Sequence, residues 1–242
     1  MSDILKVIFS RNRSDSLHTL KLIPDAYVCV EDSEIDTYSR IVPSKQLISH
    51  PHMNNLGGIW NWALDNLDYE VIVILDDDIK KIHNYTHSLL NKVEMTPKEI
   101  DYVIHETAQC AYDCGAHLFG FNRYKAGNYS PTTPISFNRP IGQLQGIFKS
   151  DLRYDESLAY SNDLDFNAQH LHRFRITFMR NDIVLEAISN ANSGGLATSR
   201  TADKVKRDMQ QINLKLGPIL LKRVAGKIGT QTHFIVKRQQ RQ

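Results

Sequence analysis

Val71-Ile72-Val73-Ile74-Leu75-Asp76-Asp77-Asp78-Ile79 carries five branched aliphatic residues directly into three consecutive carboxylates. Such an unbroken apolar run predicts a strand covered on both faces, as in the centre of a parallel sheet. Its C-terminal end then lies on the rim where open α/β sheets bind ligands. Three adjacent carboxylates repel one another, and a hard divalent cation is the natural way to stabilise them. Period-2 geometry puts Asp76 and Asp78 on one side of the chain, where Mg²⁺ or Mn²⁺ could bridge them to phosphate oxygens. The competing reading is a solvated acidic turn or a helix cap.

The same architecture extends upstream. Leu5 to Phe9 predicts a strand that opens into Ser10-Arg11-Asn12-Arg13, and Ser14 or Asp15 can cap a helix to about Ile23. Ala26 to Val30 predicts a second strand ending in Glu31-Asp32-Ser33, so two strands deliver acids to one rim. Tyr38 to Val42 and Leu47-Ile48 read as short extended pieces, and Gly57-Gly58 precedes a helix from about Ile59 to Leu67.

Downstream, Ile79 to Asn91 reads as loop or irregular helix. Thr96-Pro97-Lys98-Glu99 is a strong helix start, with Thr as cap, Pro at the first turn and Glu three residues after the cap. That helix ends at Gly115, and His117 to Phe121 follows as a strand. The Gly/Asn/Ser/Pro-rich stretch 125–134 reads as a substrate lid or an exposed loop. Gly142 to Phe148 predicts a strand in which Gly142 and Gly146 would let a ligand approach the backbone or mark bulges. Ser161 to Phe166 opens a helix to about Phe174, with Asp163 as a possible N-cap. Arg175 to Met179 and Ile183 to Ala187 read as two short strands, and Val205, Met209, Ile212 and Leu216 form an amphipathic stripe.

The 242 residues suffice for a full core, and 41% hydrophobic with 23% charged residues is ordinary for a globular chain. Only three cysteines occur, Cys29, Cys110 and Cys114, without framework spacing, which fits a reducing, cytoplasmic compartment. Ile4 to Phe9 is too short for a leader's apolar core and is followed by Arg11 and Arg13, so no secretory leader is expected. No run reaches the roughly 18 apolar residues of a membrane span. The net charge of +2 hides a gradient: residues 202–242 carry ten Lys/Arg against two Asp, or +8, leaving −6 for the rest. A basic end on an acidic body predicts a polyanionic partner such as nucleic acid or a membrane surface, or simply a solvated helix face. The chain divides into a catalytic domain over 1–200 and a basic, helical extension over 201–242 packed on it.

The order of these elements, with Glu31-Asp32-Ser33, Leu75-Asp76-Asp77-Asp78 and Asn162-Asp163-Leu164-Asp165, resembles the nucleotide-sugar glycosyltransferases of the GT-A fold. The resemblance covers roughly residues 4–195 and implies an α/β fold with a mixed, mostly parallel sheet flanked by helices. Within that class the Ser10-Arg11-Asn12-Arg13 start, the size and the basic end are most similar to the TET/JBP-associated enzymes of phages and kinetoplastids, which glycosylate hydroxymethylated pyrimidines in DNA. The resemblance implies a UDP-sugar donor and a Mn²⁺ or Mg²⁺ cofactor on Asp76 and Asp78, with Asp77 also at the donor. Glu31 or Asp32 would bind the donor's base or ribose, and Ser10, Arg11 and Arg13 would line the same pocket. Asp163 falls where the family keeps a catalytic acid, and Asp165 is the alternative. Many members have Glu-Asp where this chain has Asn162-Asp163, and many supply a late histidine to the metal; here the candidates are Asn192 or His233.

If the acceptor is DNA, Arg200, Lys204, Lys206 and Arg207 would meet phosphates, and Phe121, Tyr124, Tyr129, Phe137 and Phe148 are available for base stacking, although aromatics at strand positions are usually core. The same chemistry on a surface polysaccharide or lipid is the nearest alternative. A nucleotidyltransferase would want a glycine-rich phosphate loop after the first strand, and Ser10 to Ser14 contains no glycine. A non-enzymatic DNA-binding module is the reading from another class.

Overall fold

The computed structural model describes residues 4–85, 92–123, 133–188, 202–216, 222–226 and 229–233. Four strands, β1 (Ile4–Phe9), β2 (Tyr27–Glu31), β3 (Leu47–His50) and β4 (Val71–Asp76), pair in parallel in the order β3-β2-β1-β4. The sheet continues through β9 (Leu144–Phe148), β7 (Leu118–Arg123), β10 (Phe178–Ala187), β5 (Ile79–Asn84) and β6 (Val93–Glu94), with β8 (Ile135–Ser136) on β10. Only β5, β8 and β9 of the ten strands run against the rest, so the sheet is mixed and mostly of one direction.

Strand β4 earns its central place by burial on both faces. Val71, Val73 and Leu75 join one core cluster with α4 (Pro97–Asp113), while Ile72 and Ile74 join another with α3 (Leu56–Asn66) and α5 (Asn162–Phe174). Helices thus cover both sides of the sheet. The expected capping box of α4 is present, with Thr96 and Glu99 exchanging bonds, and Gly115 leaves the helix at a φ of 74°, a conformation glycine adopts without strain. A fourth cluster packs α6 (Ala202–Leu216) onto α5 through Ile212, Leu158, Ala168 and Leu171.

Several local expectations are corrected. No cap forms at Ser14 or Asp15; a 3₁₀ turn over Ser14–Ser16 leads into α1 (His18–Leu22). Tyr38 to Val42 is not extended, because α2 (Ile35–Tyr38) ends on a Tyr38 whose buried ring and hydroxyl anchor the first loop. Ile79 to Asn84 is a strand: Ile79 and Ile82 enter the core despite a spacing of three, and β10 supplies the ladder. The two short strands expected around Asn181-Asp182 are one strand whose register shifts between Arg180 and Val184, where Asn181 N–H donates to Pro134 O at 2.7 Å instead of to the ladder. Past α6 the described residues of the basic segment are not helical but two paired antiparallel strands, β11 (Lys222–Gly226) and β12 (Gly229–His233).

Candidate active site

The C-terminal ends of β1, β2 and β4 open onto a cleft of about 500 Å³, closed on one side by Asn55 and Leu56 at the start of α3. Ser10, Arg11, Arg13, Glu31, Asp76, Asp77 and Asp78 all line it, so the structure brings together seven of the residues that the sequence singled out. Asp32 is exposed outside that lining, at the start of a 3₁₀ turn.

The acidic turn is held by a residue that sequence reasoning missed. Thr19 of α1 is fully buried; its Oγ1 donates to Asp76 O at 2.6 Å and accepts from Ile79 N at 3.0 Å, while its own N–H reaches Asp77 O at 3.2 Å. Nothing local marks a threonine some sixty positions away as the clasp of this turn.

The three carboxylates have different fates. Asp77 accepts from Ser10 Oγ at 2.7 Å and from Arg13 Nη1 at 2.9 Å, and Tyr38 links the same loop through Ser10 Oγ at 2.8 Å and Arg13 N at 3.0 Å. Its charge is compensated, and it shapes the Ser10–Arg13 loop. Asp76 is pushed up to about 7, first by burial and then by Asp78, with Asp77 and Asp163 adding and Arg123 opposing. Asp78 is raised by burial and by Asp77, with Arg13 and Arg123 opposing, and its Oδ1 is buried without a hydrogen-bond partner. Two carboxylates with surplus negative charge and an unsatisfied oxygen fit a hard divalent cation. Among the described residues, no third His, Cys, Asp or Glu completes a cage around them. Asn192 lies outside the described residues, and the side chain of His233 does too.

Glu31 accepts from Ser33 Oγ at 2.9 Å and faces His52 Nδ1 at 3.1 Å and Arg11 Nη2 at 3.7 Å; the Ser33 and His52 contacts hold its carboxyl below the usual range. His50, also lining the cleft, is buried against Trp62 and bonds Pro51 O. These histidines and Arg123 are the further site residues that no motif announced.

Asp163, the second residue of α5, is not among the residues that line this cleft, but it stands beside Gly142, whose neighbour Gln143 accepts the Asp76 N–H at 3.0 Å. It is not the cap; Ser161 is. Asp163 Oδ1 accepts from Leu164 N at 2.8 Å, a Cβ on Gly142 would lie 3.7 Å from its Oδ2, and its charge contributes to the rise at Asp76. Asp165 is elsewhere. Two residues along a helix turn a side chain to nearly the opposite face, and Asp165 is fully buried against Gln169 Nε2 at 2.6 Å and Lys215 Nζ at 3.0 Å.

Other expectations fail on packing. Gly146 does not admit a sugar, since the Phe119 ring fills the space where its Cβ would be. Phe121 and Phe148 are core residues, Phe137 is exposed, and Tyr124 and Tyr129 lie outside the described residues, as do Arg200 and 125–132 of the predicted lid. Among the described residues no helix is long and apolar enough to cross a membrane.

With this geometry in place, comparison with known proteins is decisive at the level of family. Residues 6–195 match the family described as TET-Associated Glycosyltransferase. The chain belongs to that family. It is a glycosyltransferase, and solved structures agree with the GT-A fold. The TarS 1-349 structure from S. aureus has a TM-score of 0.55 at 10% identity, over 88% of this chain and 65% of that one. A mannosyltransferase from Pyrobaculum calidifontis, solved with GDP-Man and Mn²⁺, gives 0.54 at 14% identity, over 78% and 58%. Glucosyl-3-phosphoglycerate synthase from Mycobacterium tuberculosis, solved with Mn²⁺, UDP-glucose and phosphoglyceric acid, gives 0.53 at 13% identity, over 88% and 79%. The chain thus spans less than two thirds of the first two structures, and at these identities the likeness is one of fold. Comparison with curated protein sequences finds no match.

Proposed function

We propose that this glycosyltransferase moves a pentose or hexose from a UDP-sugar to a 5-hydroxymethylated pyrimidine in DNA, with inversion and with Mn²⁺ or Mg²⁺. The observation that carries the reading is the pair Asp76 and Asp78, negatively overloaded and incompletely bonded at the edge of a cleft sized for a nucleotide. Two fold relatives solved with Mn²⁺ and a nucleotide sugar support a metal and a nucleotide-sugar donor here.

Asp76 and Asp78 would hold the cation from one side, leaving the rest of its shell to donor phosphates and water. When bound, the cation offsets charge on the departing nucleoside diphosphate. Glu31 would accept from the donor's uracil or ribose, and Arg11 would lie over the same end of the cleft. Asp77 contributes by keeping Ser10 and Arg13 in place. Asp163 would accept the acceptor hydroxyl's proton as its oxygen attacks the anomeric carbon, and one displacement assisted by one base inverts that centre. Asp165, bonded to Lys215, is assigned no proton transfer.

The DNA acceptor is supported by the family match and by Lys204, Lys206 and Arg207, which are exposed along α6. A base inside a duplex would be reached through the major groove or by flipping. The test is to incubate the protein and Mn²⁺ with a panel of UDP-sugars and hydroxymethylcytosine DNA, digest to nucleosides and weigh them. A nucleoside heavier by one pentose or hexose, absent with Asp78→Ala, is the expected result. Donor hydrolysis with unmodified DNA would refute the acceptor, and no donor turnover would refute the donor class.

A further inference from the structure

The family match stops at residue 195, yet a carboxylate from beyond it holds the chain that leads into α5. Asp208 of α6 is buried, and it accepts from three consecutive backbone N–H groups: Ala159 at 3.1 Å through Oδ1, and Tyr160 at 2.8 Å and Ser161 at 3.0 Å through Oδ2. These are the three residues that enter α5. The helix's own cap residue, Ser161, makes no side-chain cap bond, and its Oγ is buried without a partner. A carboxylate from another helix therefore holds the amides just ahead of α5, including that of the cap residue itself, and places negative charge at the positive end of the α5 dipole.

Two more contacts from the same helix reach the same segment. Lys215 Nζ donates to Asp155 Oδ2 at 3.0 Å and to Asp165 Oδ2 at 3.0 Å, spanning the loop before α5 and its first turn. Lys204 Nζ sits 5.8 Å from the centre of the Tyr160 ring. From the opposite side, α3 holds the loop through Asn61, which bonds both N and O of Tyr154, and through Asn55 Nδ2 to Glu156 O. The segment is gripped between α3, whose first residues wall the donor cleft, and α6. Asp163 lies two residues past the last amide that Asp208 holds.

We infer that α6 is a working part of the catalytic domain and that Asp208 is a positioning residue, fixing the start of α5 so that the Asp163 carboxylate stays beside Gly142, next to the Gln143 carbonyl that binds the Asp76 N–H. This rests on the reading of Asp163 as base. A shift of the helix start by a fraction of an ångström would leave donor and cation binding intact and misplace only the proton acceptor.

The test uses the full chain with Asp208→Asn, Lys215→Gln and Asp163→Asn. Amide hydrogen exchange at Ala159, Tyr160 and Ser161 reads the tether directly, and transfer kinetics read its consequence. Asp208→Asn should speed exchange at those amides and lower kcat by about 10-fold or more, with the donor KM within about 2-fold of wild type. Lys215→Gln, which keeps a hydrogen-bond donor for the buried Asp165, should lower kcat by about 3-fold with the same unchanged KM. Faster exchange with wild-type kcat in both variants would overturn the inference, because the tether would then be structural only. Wild-type transfer by Asp163→Asn would overturn the base reading, and the inference with it, a failure visible in that variant alone.

Discussion

Two groups of acids face each other across this molecule, and they are treated in opposite ways. On the β4 side, Asp76 and Asp78 share one rim with raised pKa values, and one buried oxygen has no partner. On the α5–α6 side, Asp208 takes three backbone N–H groups, and Asp155 and Asp165 take Lys215. The bonded acids hold elements together; the Asp76 and Asp78 pair, with one Asp78 oxygen unpartnered, is left for something the chain does not supply. Counting carboxylates could not separate the two groups, but counting their bonds does.

The sharpest way to break this contrast is to exchange roles within one helix. Asp163→Asn should lower transfer by about 10²- to 10⁴-fold with donor hydrolysis and metal binding retained, as loss of a general base does. Asp165→Asn should cost far less rate and instead lower stability by about 1–3 kcal/mol in thermal or urea unfolding, since Lys215 keeps access to water. Equal losses of rate in the two variants would erase the distinction.

On the β4 side the prediction reverses sign. Asp76 is raised above its unfolded value, so the metal-free fold holds its proton more tightly and loses stability as pH climbs from about 4 through about 7. Cation binding needs the proton gone. Mn²⁺ should therefore raise the Tm more at pH 8 than at pH 6, and Asp76→Asn should raise the metal-free Tm at pH 8 while abolishing that response. A smaller effect comes from His170, buried against Phe166 and pushed down to about 4 by desolvation. Its neutral form stabilises the fold above the ordinary histidine value, and that contribution, about 3 kcal/mol at most, is lost as pH falls from 6.5 toward 4. His170→Leu should flatten that part of the stability profile.

How much of this was legible in the sequence follows from where each interaction is written. The Val71–Leu75 run, the Thr96–Glu99 cap and the acids at strand ends are local signals, and each appears where expected. Strand β5 was not legible because its apolar residues are spaced by three and only β10, a hundred residues later, makes it a strand. Glu31 and Asp32 differ in sequence by one position and in space by whether they face the cleft. Asp163 and Asp165 could not be separated while the partner of Asp165 lay 50 residues downstream, in a basic extension whose individual contacts no local pattern names. Tertiary partners, not residue types, decided these cases.

The central claim is that Asp78, with an unpartnered oxygen beside Asp76, holds the cation while the Lys215-bonded Asp165 does not, and Mn²⁺ itself can report on it. Electron paramagnetic resonance of free Mn²⁺, titrated with protein in the presence of UDP, should show the ion taken up by wild type and by Asp165→Asn and left free by Asp78→Asn. Uptake by Asp78→Asn equal to wild type, or its loss in a folded Asp165→Asn, would contradict the account.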